Sequence, residues 1–132
     1  MLERQQRKDI ISYRIEKSHK SYEEAKAISK LGYWNLTGNR LYYCVFHMAS
    51  ALLFDKGLSA KTHAGVIHLI GEKFIATGLL ESTYGRLFSR LYELRQSGDY
   101  DDMYDATEEE VAPYFDKVSQ FIADMEKLIT LK

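Results

Sequence analysis

The sequence predicts an all-α fold, an antiparallel up-and-down bundle of about five helices. Three observations carry that prediction. Apolar residues recur at helical spacing, and no stretch alternates as a strand would. Glycine is sparse, and Gly32, Gly57, Gly78 and Gly98 each fall where one periodic stretch runs out. The connections so marked are short, which forces consecutive helices to reverse direction. The 132 residues suit one domain with a single core, residues 1–132.

The first helix is read from Arg4 to Leu31, with Ile10, Ile11, Ile15, Tyr22, Ala25 and Ile28 in helical register and Gly32 supplying a left-handed end. His19 lies among Ser18, Lys17 and Lys20 and reads as an exposed surface residue. Tyr33, Trp34 and Asn35 form the connection, with Trp34 as a packing anchor. A central helix then runs from Leu36 to Lys56 and closes at Gly57. The third starts behind a cap at Ser59 or Thr62 and continues through Phe74 or Ala76. His68, beside its apolar side, reads as a packing histidine. The fourth is bounded by Ser82 or Thr83 and Ser97, and turns Tyr84, Leu87, Phe88, Leu91 and Leu94 inward. Asp99 to Asp105 reads as an acidic, aromatic loop. Thr107 to Glu110 is a capping-box signature, and the last helix follows to about Leu131, bent or delayed by Pro113.

The central helix carries the one constellation that looks like chemistry. Leu41, Val45, Met48 and Leu52 occupy one side, and Tyr42, Phe46, Ala49 and Leu53 the next, so the helix belongs in the middle of the bundle. On the remaining side Arg40 and His47 stand seven residues apart and point almost the same way, about 10.5 Å apart along the axis. Tyr43 lies between them, and Cys44 and Ala51 keep the stripe low. Imidazole titrates in the range a proton-transfer catalyst needs, and a guanidinium holds a phosphate with a forked set of donors. The alternative is that the two side chains only make polar contacts at an interface between copies of the chain.

Bulk properties exclude several classes. No run of apolar residues is long enough to span a membrane, and the charged start lacks a secretory core, so a cytoplasmic location is expected. The lone Cys44 cannot form an internal disulfide and fits the core of a protein in a reducing compartment. Histidines at 63 and 68 do not share a helix face, so a metal pair is not expected, and nothing calls for a cofactor. Net charge is −1, but Lys and Arg outnumber Asp and Glu by 15 to 9 over residues 1–98 and fall behind by 3 to 10 over residues 99–132. A mildly basic body of this kind can meet a polyanion, with the acidic segment covering part of it.

Three stretches in order, Asn39 to His47, Lys61 to Ile67 and Leu94 to Tyr100, resemble the small stand-alone proteins of the HEPN superfamily, and the resemblance spans about residues 8–128. It implies a helical bundle that pairs as a homodimer, with the Arg and His of both copies near the interface. It also implies an RNA or nucleotide ligand and, in many relatives, metal-independent ribonuclease activity or a toxin role beside a nucleotidyltransferase antitoxin. Carried onto this sequence, it makes Arg40 and His47 the catalytic candidates. Asn39, Tyr43, Lys61, His63, Asp99 and Tyr100 become the substrate-contacting candidates; from its place in the first turn beside Lys61, His63 reads as exposed near the ligand, and the acidic loop holding Asp99 and Tyr100 reads as a turn or as a flap over the stripe. The chain departs from the ribonuclease pattern at Leu41, where active members often carry a polar residue, and has Asn39 before the arginine instead. The alternative function is a non-catalytic helical dimer that binds a nucleotide or a nucleotidyltransferase.

Overall fold

The structure is a computed structural model and describes residues 2–132, all of whose regular elements are helical. In chain order these are α1 (Arg4–Ser29), α2 (Trp34–Asp55), α3 (His63–Ile70), a π-helical turn (Gly71–Ile75), α4 (Thr83–Tyr100), α5 (Glu108–Val111) and α6 (Tyr114–Leu128). The π turn prolongs α3, and α5 leads into α6, so the described residues form five helical rods, as the sequence predicts.

The stops work as expected at three joints, where Gly32, Gly57 and Gly78 adopt φ of +78°, +75° and +83°, a region that other residues enter at a cost. Thr62, rather than Ser59, caps α3 by accepting the amide of Gly65. Thr107 and Glu110 form the reciprocal capping box, and Pro113 ends the short α5 so that α6 restarts at Tyr114. Two expectations fail. Trp34 begins α2 instead of preceding it, and Gly98 does not stop α4, which continues through Asp99 to Tyr100. A single helical Gly costs only about 1 kcal/mol relative to Ala, and the contacts of Asp99 with Asn39 and of Tyr100 with Arg95 hold the last turn. Gly98 there lies against the backbone of Asn35 in α2.

Helix α2 is the centre of the bundle and packs against α1, α3, α4, α5 and α6. Its Leu41, Tyr42, Cys44, Val45, Met48, Ala49, Ala51 and Leu52 are fully buried. Phe88 and Tyr84 of α4 meet Phe121 of α6, the Tyr84 ring stacked on Phe121 at 4.3 Å between centroids. The end of α2 is gripped twice. Arg7 near the start of α1 donates to the Phe54 carbonyl at 2.8 Å, and the Asp55 carboxylate accepts the amides of Thr130 and Leu131 at 3.1 and 2.9 Å. Burial pushes the Asp55 carboxyl up, but those two amides and Lys56 outweigh it and hold the group below its ordinary range.

Candidate functional site

One side of α2 stays partly open, and Asn39, Arg40, Tyr43 and His47 lie along it, all half-buried. The apolar spacing of α2 is the local cause. Two of its sides are claimed by α1, α4 and α6 contacts, and the polar residues that do not fit there fall together on what remains.

Arg40 does not reach toward His47. Its Nε and Nη2 both donate to Asn39 Oδ1, at 3.0 and 2.8 Å, and its Nη1 donates to Glu24 Oε1 of α1 at 3.3 Å. The guanidinium carbon lies 5.4 Å from the centroid of the Tyr43 ring, and the ring of His47 lies 5.8 Å from the same centroid. Both the cation and the imidazole therefore lie against the Tyr43 ring. With 29% of its side chain exposed, Arg40 keeps access to a ligand.

Asn39 joins this group to α4. Its Nδ2 donates to Asp99 Oδ2 at 2.9 Å, and the same carboxylate oxygen lies 3.6 Å from Arg95 Nε. Arg95 is largely buried. Its guanidinium carbon sits 5.4 Å from the Tyr43 centroid, its Nη2 donates to the Tyr100 hydroxyl at 3.2 Å, and its Nε has no hydrogen-bond partner. Asp99 thus orients Arg95 and Asn39, not Arg40 directly. Asp99 and Tyr100 do so as the last residues of a helix, while Asp101 to Asp105 turn outward, with Met103 94% exposed, so the expected flap is absent.

His47 makes no side-chain hydrogen bond among the described residues. It opens into a cavity of about 230 Å³ shared with Arg14, Phe46, Ser50 and Ser59. Burial, followed by the charges of Lys17, Arg40 and Arg14, lowers its pKa to about 4, so the imidazole is neutral at neutral pH. Burial and the three cations make the ring a weak base in the free protein, and a bound anion would raise its proton affinity.

The remaining candidates disperse. His63 is tied inward, its Nδ1 2.6 Å from the Tyr42 hydroxyl and its ring 4.5 Å from Phe46, so it braces the floor of the stripe rather than standing exposed. Burial and Arg95 lower its pKa. Lys61 is exposed on the turn before α3 and pairs with no carboxylate among the described residues. His68, read as a packing residue, instead has 74% of its side chain exposed and lies 3.0 Å from Glu72 one turn on. His19 is exposed as expected and meets Glu126 at 2.7 Å. Cys44 is buried in the core, as expected. Ser18 donates to its carbonyl at 2.6 Å, and burial pushes its thiol up to about 12.

Four residues of this neighbourhood escape a reading of α2 alone: Glu24, Arg14 and Lys17 from α1, and Arg95 from α4. Arg95 was within reach, since it stands in the stretch Leu94 to Tyr100 directly beside an inward leucine. For α1 there was little signal, because its apolar residues scatter over several faces and do not say which one meets α2.

The model of the HEPN domain family matches residues 11–128. A UPF0332 protein of Thermotoga maritima is 33% identical over 124 residues, covering 94% of each chain. Two proteins of Methanocaldococcus jannaschii carry the name "Putative toxin". One is 39% identical over 90 residues, 68% of this chain and 66% of the relative. The other is 29% identical over 118 residues, 89% of this chain and 80% of the relative.

Proposed function

The chain belongs to the HEPN domain family, and from that footing we propose that it is a toxin-like endoribonuclease that cleaves single-stranded RNA without a metal. The observation that carries the proposal is the neutral His47 on the same open stripe as Arg40, with Arg14, Lys17 and Arg95 around it. The relatives named as toxins favour the toxin-like role.

The chemistry follows from the groups. Arg14, Lys17 and Arg40 draw an RNA phosphate to the stripe, and the phosphate offsets the cations that, after burial, depress the imidazole. His47 then takes the proton of a 2′-hydroxyl, whose oxygen attacks the adjacent phosphorus to form a 2′,3′-cyclic phosphate while the P–O5′ bond breaks and the leaving oxygen takes a proton from water. Arg40, held in orientation by Asn39, stabilises the charge that builds on the phosphoryl oxygens. Pairing of two copies along this side of α2 would bring two such sets into one cleft, and a nucleotidyltransferase antitoxin is the partner that fits the toxin role.

The test is cleavage of single-stranded RNA in EDTA by the purified chain, beside His47→Ala and Arg40→Ala. Cleavage by the parent alone is the expected result, with both variants folded. Equal cleavage by all three would overturn the assignment. The second reading is a non-catalytic dimer that binds a nucleotide or a nucleotidyltransferase. It is favoured by one observation, the occupation of Arg40 by Asn39 and Glu24. Co-purification with a nucleotidyltransferase and intact RNA at high protein concentration would select it.

A further inference from the structure

We infer that the cavity beside His47 is a nucleobase pocket, and that it selects a base presenting carbonyl oxygens, uracil or guanine, over adenine. The inference rests on the ribonuclease reading for its place next to the reacting phosphate, but its ligand chemistry is read from the pocket itself. The cavity measures about 230 Å³, room for one unstacked base and little more. Its walls are of two kinds. Phe46, Leu53, Leu58 and Val66 are apolar and give a planar ring surface to lie against. Arg14, Ser50 and Ser59 are polar and lie on the same lining as His47.

The polar set is biased toward donation. A guanidinium carries five N–H groups and no acceptor. Arg14 is fixed by the Ser50 carbonyl, which accepts its Nη1 at 3.4 Å, and by the Phe54 ring 5.2 Å from its guanidinium carbon. Its guanidinium makes no other hydrogen bond among the described residues, so further donors remain for a ligand. The Ser50 and Ser59 hydroxyls take either role and adapt to the neighbouring group. A base edge rich in acceptors is therefore matched, whereas the amino group of adenine would set a donor against a donor. Sequence-specific recognition of single-stranded RNA works in this way, through a splayed base packed on an aromatic ring and hydrogen-bonded at its edge. A base seated here also brings its own phosphate to the cations beside His47, which couples recognition to the position of the cut.

The experiment has two arms, because the same base could arrive on a free nucleotide or on a strand. In the first, UMP, GMP and AMP are titrated separately into the parent chain and followed by NMR shifts of residues 46–60. In the second, the ends produced from a random-sequence RNA are sequenced. Tighter binding of UMP and GMP than AMP by about tenfold is expected. Cut sites should be enriched in U or G at one flanking position. Ala60→Phe, which fills the mouth of the cavity, and Arg14→Gln, which removes the donors, should each erase the preference. If Ala60→Phe does not fold, Arg14→Gln carries the comparison. Equal affinity for the three nucleotides, or a preference that survives Arg14→Gln, would overturn the pocket. The two proposals fail separately: base discrimination without any cleavage removes the ribonuclease reading and keeps the pocket, while cleavage without base preference does the reverse. Enrichment with RNA but no discrimination among mononucleotides would assign the preference to the strand path rather than to this cavity, and so overturn it as well.

Discussion

Asn39 fixes Arg40 from the adjacent position in the chain: one carboxamide oxygen accepts two guanidinium N–H groups, at 3.0 and 2.8 Å, while the amide nitrogen of the same side chain is held by Asp99. The result is an arginine whose plane is set before any ligand arrives. Pre-set donors lower the reorganisation needed as charge develops on a bound oxyanion.

That arrangement predicts that Asn39→Ala lowers the rate of RNA cleavage by about 10- to 100-fold with a small change in KM, as for a group that positions another. Thermal stability should change little, because the residue is only partly buried. Glu24→Gln should be milder, since it removes one contact at 3.3 Å and frees the guanidinium for the ligand. Steady-state kinetics of the two variants, with melting curves alongside, check this.

The second prediction concerns pH and activity. The imidazole of His47 ionises at about 4 in the free protein. The acid limb of kcat/KM, which reports the unliganded protein, should therefore fall well below the ordinary histidine value near 6.5. Lys17→Gln or Arg14→Gln removes a neighbouring cation and should move the limb upward. A limb at the ordinary position, unmoved by either change, would count against His47 as the base.

Stability should follow the same ionisation. A folded pKa below the unfolded one means that the unfolded chain binds more protons between about pH 4 and 6.5. The stabilisation is complete above 6.5 and is lost as pH falls toward 4. His63 is shifted in the same direction and adds to the slope. The melting temperature should therefore decline on acidification through this window, less steeply in His47→Gln than in the parent.

In the core, Phe121 is fully buried and stacked on Tyr84, so Phe121→Ala should cost about 3–5 kcal/mol by urea denaturation. Cys44 should stay unmodified by thiol reagents in the native protein and react fully once it is unfolded, because both its burial and its raised pKa deny it the thiolate form.

How much of this was legible beforehand differs between fold and site. Local signals are carried by local residues: a glycine at positive φ, a Thr107–Glu110 box and a central helix apolar on two sides announce themselves within a few positions. The same locality explains the failures. Gly98 carries the stop signal, but its fate is decided by packing against Asn35, more than sixty residues earlier in the chain. His68 misleads because it borders the apolar side of α3, and only the neighbours of that helix determine how far the buried strip extends. Arg40 and His47 could be aligned by counting turns, whereas the shared contact with the Tyr43 ring, the Arg95 cation and the α1 cations come from tertiary packing that a helical repeat does not encode.

The double grip on the end of α2 has a topological corollary. Arg7 and Thr130 fasten onto the neighbouring residues Phe54 and Asp55, so the first turns of α1 and the segment after α6 meet at one end of the bundle. A short linker joining these two segments would close the bundle into a ring. New ends could then be opened at the exposed turn around Leu79, yielding a circular permutant with the same helices in a different order.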